Sequence, residues 1–270
     1  MRRLARKSTA CKSSVLRDAM KFLILSDCHG NKFGLESVLE SGREYDQVLC
    51  LGDVVGYGAH PNECCEMLRQ YNAISLSGNH DAAALGKIDI QWFNPIATAA
   101  ILWTRNELTE GNRVWLDCLP AEQEFSEAHF QAVHASLRQP WEEYITDQQV
   151  ALPSLTRMTQ PLCFYGHTHV AALASLKGDE VQWRNHVSMQ WIEFPDGAEI
   201  ELEVGERVLI NPGSCGQPRD GNPQAKAAIY DSVQRTVEVF GVDYDIEAAR
   251  DAIIEAGLPV KLGDRLRVGG

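Results

Sequence analysis

The residues of this chain whose types and spacing could do chemistry are Asp27-Cys28-His29, Gly52-Asp53, Gly78-Asn79-His80-Asp81, His134 and Gly166-His167-Thr168-His169. Asp27, His29, Asp53, Asn79, His134, His167 and His169 offer two carboxylates, an amide carbonyl and four imidazoles. A dinuclear site for phosphate ester hydrolysis needs two cations about 3.5 to 4 Å apart, a carboxylate that bridges them, and nitrogen or oxygen ligands for the rest. Asp-x-His suits the first cation because residues i and i+2 at a strand end project to the same side. An isolated Asp can bridge, an Asn carbonyl and further His can complete the second cation, and His-x-His can feed both. No cysteine is needed. The mixed imidazole and carboxylate shell points to two divalent ions of the Mn, Fe, Zn, Co or Ni kind, manganese first, and away from Mg or Ca.

Each fragment follows a short apolar run. Phe22 to Ser26 ends in Asp27, Gln47 to Leu51 in Gly52-Asp53, Ala73 to Leu76 leads to Gly78, Phe130 to Val133 ends in His134, and Leu162 to Tyr165 ends in Gly166. Strands of one sheet that all end this way would gather the groups on one edge, where open α/β sheets place their sites. Alone, Gly-Asp or Asp-x-His after a strand is mostly turn chemistry. Together, five of the eight histidines (29, 80, 134, 167 and 169) fall at strand ends, and core or surface histidines would not segregate so.

The elements needed to hold these ends are legible. Helical stretches are expected near Gly34 to Arg43, from Pro61 to Gln70 with Pro in the favoured first position, and from Ile96 to Glu107 behind an Asn94 cap. Others are expected around Asn112 to Cys118 and within 141 to 158, interrupted at Pro153. This βα succession predicts parallel pairing. Later residues read differently. Val181-Gln182-Trp183 and Trp191 to Phe194 suggest hairpins, Arg207 to Ile210 a strand, and Ala227 to Tyr230 with Thr236 to Phe240 a strand pair. A final amphipathic helix carries Ile246, Ala249, Ile253 and Ile254 on one face. Residues 20–270 are expected to be one domain with a β-hairpin excursion near 176–206, where Trp183, His186 and Trp191 either cover the site or extend a sheet.

At 270 residues and 44% hydrophobic, the chain can bury a large core. No apolar run approaches the ~20 residues of a membrane span. A net charge of −12 is the wrong sign for a broad nucleic-acid surface, although a cation pair would reverse the field locally. The eight cysteines follow no disulfide or zinc-finger spacing and suggest reduced thiols in a cytoplasmic protein. Residues 1–19 hold six Arg or Lys against one Asp, net +5, which leaves −17 for the rest. They are expected to be a disordered basic extension, with an organelle transit segment as the competing reading.

The motif set resembles that of the calcineurin-like metallophosphoesterases over about residues 21 to 240. The resemblance implies a four-layer α-β-β-α sandwich, an α/β (α+β) fold of two mixed sheets flanked by helices. It also implies Asp27, His29 and His169 on one metal, Asn79, His134 and His167 on the other, and Asp53 between them. His80 would face the leaving group, and Asp81 could orient His80 or cap a helix. The implied mechanism is in-line attack by metal-bound hydroxide, with His80 stabilising or protonating the departing oxygen.

Protein phosphatases of the superfamily continue the second motif as Gly-Asp-x-x-Asp-Arg-Gly. Here Gly52-Asp53-Val54-Val55-Gly56-Tyr57-Gly58 lacks that Asp and Arg. The chain is more similar to small bacterial and archaeal phosphodiesterase-like members, which implies a small phosphorylated, nucleotide-like diester as substrate. A phosphomonoesterase or protein phosphatase, a dinucleoside polyphosphate hydrolase and a silent scaffold of the same fold are the alternatives, and a homo-oligomer is compatible with all of them. Retention of His80 speaks against the scaffold. Asn211, Ser214 and Arg219 are candidate substrate contacts. Asn211 could instead hold a metal-bound histidine from behind, and Pro-Arg-Asp-Gly is also an ordinary turn.

Overall fold

The computed structural model describes residues 20–178 and 189–270. The basic extension of residues 1–19, and Trp183 and His186 of the expected hairpin, lie outside the described residues.

Two six-stranded mixed sheets form the frame. In the first, β1 (Lys21–Leu25), β2 (Gln47–Cys50) and β3 (Ile74–Ser75) are parallel. Antiparallel strands β11 (Ala225–Asp231), β12 (Thr236–Val242) and β9 (Ala198–Glu201) continue that sheet beyond β1. In the second, β5 (Phe130–Val133), β6 (Leu162–Phe164) and β10 (Glu206–Asn211) are parallel. Around them lie the antiparallel strands β4 (Glu122–Phe125), β7 (Ala172–Lys177) and β8 (Met189–Glu193).

Period-two alternation builds the layers. Phe22 and Ile24 of β1 face Phe130, Phe164 and Ile210 of the other sheet in one buried cluster. Leu23 and Leu25 point the other way, against Leu35 and Val38 of α1 (Lys32–Leu39) and Leu68 of α2 (Pro61–Gln70). The second sheet repeats the scheme, with Cys163 and Leu209 packed on Ala151 and Leu155. The result is the four-layer α-β-β-α sandwich that the resemblance implies.

The remaining helices are α3 (Asn79–Ala84), α4 (Pro95–Glu107), α5 (Glu110–Asp117), α6 (Gln148–Arg157), α7 (Ile246–Glu255) and α8 (Val260–Asp264). Asn94 caps α4 by accepting from the backbone N–H groups of Ile96 and Ala97. Two expectations are corrected. Helix α6 runs through Pro153 instead of breaking there; its buried Ala151, Ser154 and Leu155 anchor it on the sheet and outweigh a helix penalty of roughly 3 kcal/mol. Ile254 of α7 is exposed while Ala249 and Ile253 are buried, so the apolar face is narrower than its pattern. The described strands of the region near 176–206 follow the sheet-extension reading: β8 pairs antiparallel with β7 at an edge of one sheet, and β9 with β12 at an edge of the other. No described helix is long and apolar enough to cross a membrane.

Candidate metal centre

The carboxyl ends of β1, β2, β3, β5, β6 and β10 meet at one rim of the sandwich, and the loops leaving them carry the candidate residues. Asp27, His29, Asp53, Asn79, His134, His167 and His169 are all buried. They form two groups that share Asp53: Asp27, His29, Asp53 and His169, with ligand atoms all within 4.8 Å of one another, and Asp53, His134 and His167, equally close. Asp53 Oδ2 stands 3.5 Å from His29 Nε2 and 3.4 Å from His134 Nε2. Asp27 Oδ1 is 3.3 Å from His169 Nε2. The Asn79 side-chain carbonyl lies 3.3 Å from His134 Nε2.

Backbone geometry turns these side chains inward. Asp27, His29, Asp53, His167 and His169 all adopt left-handed φ, between 49° and 67°. Such a conformation costs an L-residue roughly 1 to 2 kcal/mol, and strain of this kind collects at functional sites. Close approach sets the motif glycines. A Cβ on Gly78 would collide with the backbone N and carboxylate of Asp53, and one on Gly166 with Ser26 Oγ.

The outer ring nitrogens are fixed by main-chain carbonyls. His29 Nδ1 faces Val55 O at 3.2 Å, His134 Nδ1 faces Leu51 O at 3.0 Å, and His169 Nδ1 faces Gln217 O at 2.6 Å. A proton donated outward leaves each Nε2 lone pair directed into the centre, the tautomer a metal-binding imidazole requires. His167 Nε2 is buried with no hydrogen-bond partner among the described residues. Buried nitrogen and carboxylate donors converging in this way fit divalent cations.

Electrostatics agree. Burial would raise the Asp53 carboxyl, but His134 and the other rings around it hold it well below its usual range. Burial would likewise lower His134, yet the Asp53 carboxylate beside it outweighs that and pushes it up to about 9. Burial lowers His167 to about 3 and His80 to about 4, so both rings are neutral at neutral pH.

His80 stands apart from the two groups. Its backbone N–H donates to Asp53 Oδ1 at 2.8 Å, and its ring lies 4.4 Å from that of Tyr57 and 5.1 Å from that of Phe93, with a buried, unpartnered Nδ1. Asp81 does not touch His80: its carboxylate accepts from Val55 N and Gly78 N and so ties the second and third ligand loops together.

Two candidate substrate contacts are corrected. Asn211 is fully buried, donates to Gly166 O (2.7 Å) and Thr168 Oγ1 (3.0 Å) and accepts from Gly213 N, which spends its hydrogen-bonding capacity holding the His167 and His169 loop. Ser214 is buried too and donates to the Asp27 carbonyl at 2.9 Å. Both support ligand loops from behind. Arg219 is half-buried near the rim; its guanidinium carbon lies 5.8 Å from the centre of the Tyr57 ring, and its buried Nε has no partner.

Two residues were missed by motif reading. Tyr57 packs 4.6 Å from the His29 ring, and Tyr144 packs 3.9 Å from the His167 ring. Tyr57 could have been found from its place inside the second motif, whereas nothing in the sequence near Tyr144 marks it.

A model of the calcineurin-like phosphoesterase superfamily domain matches residues 20–235. An uncharacterized protein of Methanocaldococcus jannaschii is 36% identical over 252 residues, which cover 91% of this chain and 97% of that one. The crystal structure of a metallophosphoesterase from Sphaerobacter thermophilus superposes with a TM-score of 0.80 at 37% identity, covering 93% of this chain and 100% of that one. A hypothetical protein from Pyrococcus horikoshii OT3 shares the fold at a TM-score of 0.73 and 18% identity, covering 93% and 98% of the two chains.

Proposed function

The chain belongs to the calcineurin-like phosphoesterase superfamily, and from that premise we propose that it is a dinuclear metal-dependent phosphodiesterase acting on small nucleotide-like substrates. The observation that carries this reading is Asp53 Oδ2, nearly equidistant from His29 Nε2 and His134 Nε2 at 3.5 and 3.4 Å. That is where a bridging carboxylate must stand. Asp27, His29 and His169 would complete one site, and Asn79, His134 and His167 the other. Two divalent cations, manganese first among them, would supply Lewis acidity toward the phosphoryl oxygens and activate water when bound.

The chain's own residues do the rest. Asp53 fixes His80 through its backbone N–H. His80, which burial keeps neutral at neutral pH, would present a ring N–H to a departing oxygen and act as a hydrogen-bond donor, and bound cations would lower its proton affinity further. Arg219 at the rim can meet a phosphoryl oxygen. Gly56 and Tyr57 stand where the protein phosphatases have Asp-Arg, so the arginine that would meet the extra charge of a monoester dianion is absent, and a diester monoanion needs it less. Cytoplasmic placement is part of the same reading.

Turnover of bis(p-nitrophenyl) phosphate against p-nitrophenyl phosphate with added Mn²⁺ tests it. Preference for the diester supports the proposal. Preference for the monoester would replace it with a phosphomonoesterase, and no turnover of either at full metal loading would leave a scaffold.

A further inference from the structure

A cleft of about 580 Å³ opens beside the metal centre, with Asn79, His80 and His167 in its wall. Two segments supply the remainder. The turn before α4 contributes Trp92 and Phe93, and the loop after β5 contributes Trp141 and Tyr144. With Tyr57 this makes five aromatic side chains in one cleft. Trp141 is pinned by its indole N–H, which donates to the Ser77 carbonyl at 3.0 Å, and Tyr144 is packed on His167. They are preset platforms. Trp92 is different: it leaves 90% of its surface exposed at the cleft, an open face on which a flat ring can stack.

Charge narrows what that something is. The described lining includes Asp89 and Glu142 and no Lys or Arg. A second phosphate placed beside Asp89 or Glu142 would be repelled, while an uncharged aromatic ring would not. Building on the phosphodiesterase reading above, we propose that this cleft binds the planar base of a nucleoside, stacked on Trp92, while the nucleoside's phosphate sits at the Asp53 centre. The substrate class is then a nucleoside phosphodiester whose negative charge is confined to the phosphate under attack. Base stacking on an aromatic side chain is worth roughly 5- to 150-fold in affinity.

Adenosine 5′-monophosphate and ribose 5-phosphate share ribose and phosphate and differ only in the base, so titrating each into the metal-loaded protein by calorimetry isolates the cleft. AMP should bind at least about fivefold more tightly. Trp92→Ala should remove most of that advantage and leave ribose 5-phosphate unchanged, and Trp92→Phe should restore it. Since Trp92 is exposed, neither change threatens the fold. Equal affinities for the two ligands, heat from neither, or an AMP advantage untouched by Trp92→Ala would overturn the proposal. The readout is binding, so it fails separately from the phosphodiesterase reading, which turnover of bis(p-nitrophenyl) phosphate decides.

Discussion

His29 and His169 aim their Nε2 atoms at each other across 3.1 Å, and each has its Nδ1 against a backbone carbonyl. Two lone pairs at that distance repel unless a cation lies between them. Metal should therefore stabilise the fold as well as serve the reaction. At a free Mn²⁺ concentration a hundredfold above its dissociation constant, linkage gives about 2.7 kcal/mol. For a chain of this size that is roughly 5 to 10 °C in Tm. Calorimetric scans with EDTA and with excess Mn²⁺ should differ by that amount, and coincident scans would show that the cluster binds no ion.

Asp53 serves both metal groups and also accepts from His80 N–H through Oδ1. Asp53→Asn keeps an acceptor for that N–H while removing the charge, so the variant separates bridging from scaffolding. Metal content by elemental analysis should fall below two ions per chain, and hydrolysis should fall to background with it. Normal metal content with full activity would remove Asp53 from the bridge.

His80 is placed by Asp53 and by the Tyr57 and Phe93 rings, and its Nδ1 has no partner among the described residues. His80→Ala should keep both metals and lose roughly 10² to 10⁴ in rate, the usual contribution of a positioned acid or donor. The loss should be larger for an alkoxide leaving group than for p-nitrophenolate, which departs without help. A metal-free variant would make His80 a ligand.

Much of this centre was legible because metal chemistry restricts residue types at strand ends: Asp27-x-His29 alone reads as turn chemistry, but five such ends in one chain leave few other readings. The sandwich came with the family resemblance that the same motifs carry. Parts that depend on three-dimensional packing were not legible. Asn211 follows a strand as the ligands do, but its amide is turned back onto Gly166 and Thr168, and no local signal distinguishes that from a substrate contact. Tyr144 reaches His167 from a loop 23 residues earlier in the chain. Helix α3 begins at Asn79 itself, where a ligand motif and a helix start share the same four residues. The last strands before β10 divide between two sheets because each edge offers unpaired backbone groups, a choice that alternation alone does not make.

His134 gives the metal centre a proton to exchange. Its ordinary pKa is near 6.5, and the Asp53 carboxylate, acting against burial, raises it to about 9 in the metal-free fold. A raised value means that this pair stabilises the metal-free fold fully below the unfolded pKa and loses that contribution as pH rises through about 9. At pH 8 the His134 ring is therefore mostly cationic without metal, whereas His80 and His167, lowered to about 4 and about 3, are already neutral. Coordination requires the neutral imidazole, so Mn²⁺ binding should release close to one proton per chain at pH 8 and weaken by up to tenfold for each unit of acidification. Titration calorimetry in phosphate-free buffers of different ionisation enthalpy reads that proton directly: the apparent binding enthalpy should shift with the buffer. His134→Gln should abolish the shift, and a buffer-independent enthalpy in the native protein would place the Asp53 partner proton elsewhere.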